Sequence, residues 1–364
     1  MSDPSPAAAA APWLERDVWL ACAGPFAFLP SVNTQVYYYP RGHADLQCRG
    51  ISLDLPSDDA IPCTVSSVQL GYHAGSDDPY ALITLQPDPK QGPAAAPEHQ
   101  QPTGTRYYVK QLTARTMCVS PFTVPKPCAD SLFPVLVGDG SQDRLHMLDV
   151  HGKTYRFKRS IKNGSNILTA EWNGYCQAKK LEPYMDSIVF IRRADGRLLI
   201  GSRRGGGPSI DRAPTNDLKV EPSPLVQEPA EETALPDQYF TVTYYPRQGW
   251  PFVVRRKQVD DALQLHWRQR MKVRMTAVDD HELESSRHDA RTPASYDGVV
   301  SSVKNNKWWK LQVHWEEPPQ GKHEDWQGPT IPNRGVNIWQ VEAWRIVRES
   351  ANILMLPHKK KQVD

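Results

Sequence analysis

The sequence predicts a mainly β protein with short helices. Two observations carry this. The 364 residues include 33 prolines, too many to allow long helices. The apolar residues come in short runs rich in β-branched and aromatic side chains, separated by Pro/Gly-rich breaks. A third observation concerns partners: charge is unevenly spread. Between Arg106 and Arg204, 17 Lys/Arg stand against 8 Asp/Glu, whereas the whole chain is only +2. A basic, β-rich region inside a near-neutral chain is the footprint of a polyanion binder, most often nucleic acid. The length allows two or three domains, each able to bury its own core. No apolar stretch approaches the roughly 20 residues of a membrane span, so no membrane partner is expected.

The elements follow in order. Residues 1–12 are mostly small residues and prolines and form a lead expected to be disordered. Leu14 to Gly24 reads as a helix with Leu14, Val18, Ala21 and Cys22 on one face. Gly24 is its left-handed stop and Pro25 bars continuation. Strands are expected at Gln35–Pro40, Ile61–Leu70 and Tyr80–Leu85, and Gln86 to Thr105 is a linker or loop.

The basic region, 106–204, opens with a strand at Arg106–Leu112. Pro125–Phe133 is a short helix with Cys128, Ala129 and Leu132 on one face. Strands follow at Arg144–Asp149, Thr154–Phe157 and Ile167–Thr169, with a polar loop at Lys158–Asn166 between the last two. Trp172–Lys180 is a second short helix, and Ser187–Arg192 with Arg197–Ser202 forms a hairpin around Asp195-Gly196. Residues 205–237 are an acidic, Pro-rich linker. The last folded region, 238–347, opens with a strand at Tyr239–Pro246. A helix follows with Val259, Ala262, Leu263 and Trp267 on one face, then strands at Lys272–Val278, Tyr296–Val303 and Trp308–His314 as a small barrel-like set. Trp339–Arg345 closes the fold, and 348–364 is a tail carrying the basic run His358–Lys361.

Catalytic and metal chemistry finds little support. Cys22, Cys48, Cys63, Cys118, Cys128 and Cys176 are too far apart for a zinc knuckle and read as free, buried thiols. His146 with Asp149 and His151, and His281 with Asp279 and Asp280, have neither ligand spacing nor a nearby nucleophile. Gly205 to Gly207 heads an acidic linker rather than a helix. No enzyme, cofactor, metal or small-molecule substrate is expected. Trp308, Trp309, Trp315, Trp326, Trp339 and Trp344 could line an aromatic cage for a methylated cation, but core packing is the expected use of most of them.

Several motifs together resemble one family. WLACAGP at 19–25, followed by VYYYPRGH at 36–43, is similar to the start of a plant auxin response factor. LTA at 112–114 and FTVP at 122–125 resemble the opening of a B3 DNA-binding domain. TAEW at 169–172, KKL at 179–181, DSIVF at 186–190 and LIGSR at 199–203 resemble its second half. FTVTYYPR at 240–247, WKLQVHW at 309–315 and QVE at 340–342 resemble the family's third region. The resemblance implies a seven-stranded B3 open pseudobarrel at 106–204, inserted in a split dimerisation domain whose parts are 13–105 and 238–347. The second part would include a small Tudor-like barrel. It further implies a dimeric, nuclear, sequence-specific regulator of transcription that binds double-stranded DNA, as a homodimer or with related factors. The chain ends soon after the third region, so it is expected to act without the family's C-terminal oligomerisation domain.

The resemblance also directs attention to two loops. Candidate DNA-binding residues are Arg115, Thr116 and Ser120 in the first, and Lys158, Arg159, Lys162, Asn163 and Asn166 in the second. Where the family has His-Gly-Gly before Phe122, this chain has Val119, Ser120 and Pro121. The second loop is two residues shorter and offers only Arg159 as an arginine. Lysine and asparagine bind phosphate, but guanine is read best by arginine forks. The alternative expectation is therefore a non-catalytic interaction protein that dimerises with related factors and binds DNA only weakly.

Overall fold

Three sheets organise the described residues, and the first is assembled from strands that lie far apart in sequence. A computed structural model describes residues 14–24, 27–47, 60–74, 76–87, 104–114, 121–136, 142–204, 239–246, 251–276, 295–305, 308, 310–316 and 335–343. Helix α1 is Arg16–Ala23, ended by Gly24 at φ 94° with its N–H donating to the Leu20 carbonyl. Strand β1 (Gln35–Tyr38) is followed by α2 (Pro40–Gln47), then by the long antiparallel hairpin of β2 (Ile61–Tyr72) and β3 (Pro79–Pro87). The chain returns to this sheet much later. β11 (Phe240–Tyr244) pairs with β3, and β12 (Val253–Arg255) pairs with β1, giving the antiparallel order β11-β3-β2-β1-β12.

Between those visits the chain builds a seven-stranded sheet. Its strands are β4 (Arg106–Gln111), β5 (Phe122–Thr123), β6 (Gln142–Asp149), β7 (Thr154–Lys162), β8 (Ser165–Thr169), β9 (Ser187–Arg192) and β10 (Leu198–Arg203). Their order is β4-β9-β10-β6-β7-β8-β5, antiparallel except for the β10–β6 pair, and the sheet curls into a half-barrel. Helices α3 (Lys126–Leu132) and α4 (Trp172–Ala178) add buried side chains to its inner core. Cys128, Ala129 and Leu132 face inward from α3 as the spacing predicts, and Phe122 stacks on Trp172 with centroids 4.0 Å apart.

A four-stranded antiparallel sheet follows, formed by β13 (Lys272–Thr276), β14 (Ser295–Val303), β15 (Leu311–Trp315) and β16 (Glu342–Ala343) in the order β15-β14-β13-β16. It shares one hydrophobic core with the five-stranded sheet: Val273, Met275, Val300, Trp308 and Leu311 belong to the same cluster as Val36, Tyr38 and Val65. Helix α5 (Arg256–Leu263) buries Val259 and Ala262. Leu263 is exposed, and Trp267 lies beyond the helix end with its indole N–H donating to the Ala262 carbonyl at 2.8 Å. The apolar face predicted for this helix is thus half as long as expected.

Trp308 sits in a bend before β15 rather than in a strand, yet it is fully buried, 5.3 Å from Tyr39 and 5.9 Å from Trp339 between ring centroids. Core packing, not a cage, is the use made of Trp308 and Trp339. Trp309, Trp326 and Trp344 lie outside the described residues, as do 1–12, 205–237 and 348–364. Cys22, Cys63, Cys128 and Cys176 are buried thiols not joined in disulfides, and burial pushes the Cys22 thiol up to about 12.

The seven-stranded sheet is fastened to the rest of the molecule. Part of its outer face, carrying Tyr107, Val189, Ile191 and Leu199, joins the cluster that contains Val18, Trp19 and Cys22 of α1. A Cβ at Gly201 would come within 2.5 Å of Cys22 Sγ, so glycine is what lets α1 approach β10. Arg193 pairs with Glu15, and Arg203 donates to the Ala21 carbonyl at 2.7 Å. At the tip of the β2–β3 hairpin, Asp77 pairs with Lys179 at 3.0 Å and accepts from or pairs with His151 at 2.7 Å, while Lys179 also reaches Asp149 at 2.7 Å.

A candidate nucleic-acid interface

The period of two along a strand decides what β7 offers to solvent. Tyr155, Phe157 and Arg159 are buried, whereas Thr154, Arg156 and Lys158 are exposed. Strand β7 does not stop at Phe157 but continues to Lys162, turns at Asn163-Gly164 and returns as β8. The stretch read from sequence as a loop is therefore a β-hairpin. Asn163 and Gly164 have φ of 51° and 72°, the left-handed pair of a two-residue turn, for which Asn-Gly is the favoured dipeptide.

The hairpin separates the sequence-predicted residues into two groups. Lys158, Lys162 and Asn163 are exposed, and their side chains have no hydrogen-bond or ion-pair partner among the described residues. Arg159 is 3% exposed. Its Nε donates to Asn166 Oδ1 at 2.8 Å, one terminal nitrogen donates to the Pro134 carbonyl at 2.7 Å, and Asp143 lies 3.6 Å away. The guanidinium also lies 5.5 Å from the Phe133 ring centroid. Burial lowers its pKa while Asp143 opposes the shift. In this arrangement Arg159 braces the hairpin against the chain that follows α3. Asn166 is the other half of the brace: its side-chain oxygen is taken by Arg159, and its backbone carbonyl accepts from Val124 N–H at 2.9 Å.

Arg115, Thr116 and Ser120 lie outside the described residues. The segment that follows them is fixed: β5 pairs with β8 through Phe122 opposite Leu168 and Thr123 opposite Ile167. The two stretches singled out in the sequence thus lead into adjacent strands.

Two cations that the sequence reading passed over, Arg144 and Arg156, stand near Lys158. Arg144 pairs in register with Lys158 and His146 with Arg156, and all four side chains are exposed. Alternation along β6 and β7 was the signal for them. His146 does not converge with Asp149 and His151. Asp149 is buried, accepting from the backbone N–H groups of His151 and Lys153 and pairing with Lys179. Among the described residues, no group of three ligating side chains could hold a metal ion. His281, Asp279 and Asp280 lie outside them.

No family model matches the chain. Relatives do. Auxin response factor 13 of Oryza sativa subsp. japonica is 33% identical over 360 residues, covering 90% of this chain and 63% of that protein. Auxin response factor 8 of the same organism is 31% identical, covering 87% and 52%. Auxin response factor 17 of Arabidopsis thaliana is 28% identical, covering 94% and 64%. This chain spans about half to two thirds of the length of these relatives. These relatives are named as auxin response factors. Among solved structures, an Arabidopsis FUS3–DNA complex is similar at 20% identity with a TM-score of 0.25, covering 28% of this chain and 100% of that one.

Proposed function

This chain is a homologue of the auxin response factors, and from that premise we propose that it is a sequence-specific, double-stranded DNA-binding regulator of transcription that acts in the nucleus as a dimer. The observation that carries the reading is the β7–β8 hairpin. It projects Lys158, Lys162 and Asn163 from a basic seven-stranded sheet without giving those side chains a partner among the described residues. Lysines of this kind supply phosphate contacts, and amides at a hairpin tip can meet base edges. The sheet is held by α1 and the β2–β3 hairpin, a fixed platform of the sort a reading element requires. Dimerisation through the five-stranded sheet and its neighbours would let two such hairpins engage a paired site, raising avidity through effective concentration.

One observation favours a second reading. With Arg159 committed to Asn166 and Pro134, the described part of the hairpin offers no arginine fork for guanine. The chain would then act mainly by pairing with related factors, with weak DNA binding.

Fluorescence anisotropy separates the two, using a duplex with an inverted pair of TGTC elements and a scrambled control at two salt concentrations. The regulator reading expects the specific duplex to bind at least about tenfold tighter, a difference of about 1.4 kcal/mol. Equal binding of both duplexes, lost together as salt rises, would leave only the phosphate contribution and favour the interaction protein. A chain that is monomeric at micromolar concentration would remove the basis of the second reading.

A further inference from the structure

The two faces of the seven-stranded sheet are used differently, and one part of the outer face is left open. The inner face holds Leu145, Met147, Tyr155, Phe157, Leu168 and Phe190 in the sheet's own core. The outer face of β4, β9 and β10 is covered by the core that contains α1. The cover ends at Leu148 of β6, and the rest of this face of β6 and β7 presents Arg144, His146, Arg156 and Lys158 to solvent.

These four do not lie at random. Arg144 stands directly opposite Lys158, and His146 directly opposite Arg156. The rungs are about 6.6 Å apart along the strands, and the strands about 4.8 Å apart. Like charges in direct cross-strand register oppose folding, and none of the four side chains has a hydrogen-bond or ion-pair partner among the described residues. The nearby acids are turned elsewhere. Asp143 approaches Arg159, and a Glu171 carboxylate oxygen accepts from the Arg156 backbone N–H at 2.7 Å. Arg144, Lys158 and Arg156 therefore form a row of cations whose repulsion no side-chain ion pair among the described residues offsets.

We infer that Arg144 and Arg156, with His146 between them, form a second contact strip of this chain for the phosphate backbone of duplex DNA, continuous through Lys158 with the β7–β8 hairpin. The strip rests on the DNA-binding reading above and extends it from the hairpin tip along the sheet face. Duplex DNA is the partner that fits, because it presents a negative charge for about every 1.7 Å of helix axis to a face that carries Arg144, Arg156 and Lys158. The strip makes no base contact; it adds affinity without sequence preference.

The test uses the full chain and the variant R144Q/R156Q, with R144K/R156K as the charge-preserving control. Duplex affinity is measured against salt on specific and scrambled duplexes. Each lost phosphate contact lowers the slope of log K against log salt by about 0.9, so the expected loss for the glutamine variant is about 1.8. It should be equal on both duplexes and restored by lysine. If wild type binds duplex but the glutamine variant keeps the full slope, the strip is overturned and the DNA reading stands. If wild type binds neither duplex at any salt, both fall together. Binding of poly-glutamate that only R144Q/R156Q loses, with duplex affinity unchanged, would assign the face to an acidic protein instead and overturn the inference.

Discussion

Lys179 Nζ lies 3.0 Å from Asp77 Oδ2, an ion pair that ties the seven-stranded sheet to the tip of the β2–β3 hairpin. Asp149, 2.7 Å away on its other side, makes the cluster a junction of one cation and two carboxylates. All three side chains are nearly inaccessible, so removing the cation leaves two buried carboxylates facing each other. Breaking such a pair costs about 3–5 kcal/mol. K179M should lower stability by about 3 kcal/mol or more in urea unfolding. D77N should cost less, because Lys179 keeps Asp149. Burial alone would lower the Lys179 pKa, but the hydrogen bond to Asp149 and the charge of Asp77 outweigh it and raise the value above 10.5. A raised ammonium contributes stability fully below its unfolded pKa and loses it as pH rises through the folded one. The K179M deficit should therefore be flat across neutral pH and shrink only above about 10.5.

His43 gives the opposite pH signature. Its ring stacks on Phe252 at 4.1 Å, Nδ1 lies 2.9 Å from the Tyr38 hydroxyl, and Nε2 has no partner among the described residues. Burial pushes its pKa down to about 3 from 6.5. Between those values the unfolded chain binds a proton that the folded chain refuses, so stability falls as pH falls below 6.5. The slope contributed by one group is at most about 1.4 kcal/mol per pH unit. Urea unfolding at pH 7.0, 5.5 and 4.5 should show this loss in wild type and a shallower one in H43N. Parallel curves for the two proteins would refute the assignment.

Gly42 tests whether α2 is shaped by packing or by propensity. In an exposed helix, Gly→Ala stabilises by about 1 kcal/mol. Here a Cβ would lie 2.4 Å from the Trp308 ring, and Trp308 is fully buried against Tyr39 and Trp339. Overpacking of this kind costs about 1–3 kcal/mol. G42A should destabilise by about 1–2 kcal/mol in thermal or urea unfolding, and a stabilised variant would mean that Trp308 yields freely.

The same residues explain what was legible in the sequence. Strand β3, with clean alternation, and β9, a continuous apolar run buried on both faces, declared themselves through local pattern alone. Helix α2 did not, because PRGHADLQ has little helical propensity and no apolar stripe. It packs through Gly42 and His43 against Trp308 and Phe252, which are more than 200 residues away in sequence. The pairing of Val36 with Arg255 is equally non-local, and only the family resemblance pointed to a split module. At the candidate site the failure was one of register. Ending the strand at Phe157 hid the alternation that sends Arg159 inward and leaves Arg156 and Lys158 outside. The Asn163-Gly164 turn was the available cue.

That alternation yields the sharpest prediction at the site, because it assigns neighbouring cations to different tasks. Arg159 holds Asn166 and the Pro134 carbonyl from a buried position, so its loss removes two hydrogen bonds made by a buried guanidinium. Hydrogen bonds to a charged group contribute about 1.5–3 kcal/mol. R159Q should destabilise the chain by about 2 kcal/mol or more. On duplex DNA, measured at a temperature where the variant is folded, it should keep the wild-type salt slope. K158Q/K162Q should do the reverse: unchanged unfolding, because both side chains are exposed and unpartnered among the described residues, but a salt slope lower by about 1.8. A variant R159Q that is fully stable yet loses the slope would mean that the guanidinium leaves Asn166 and turns outward to phosphate when DNA arrives. The brace would then be a resting position rather than the working one.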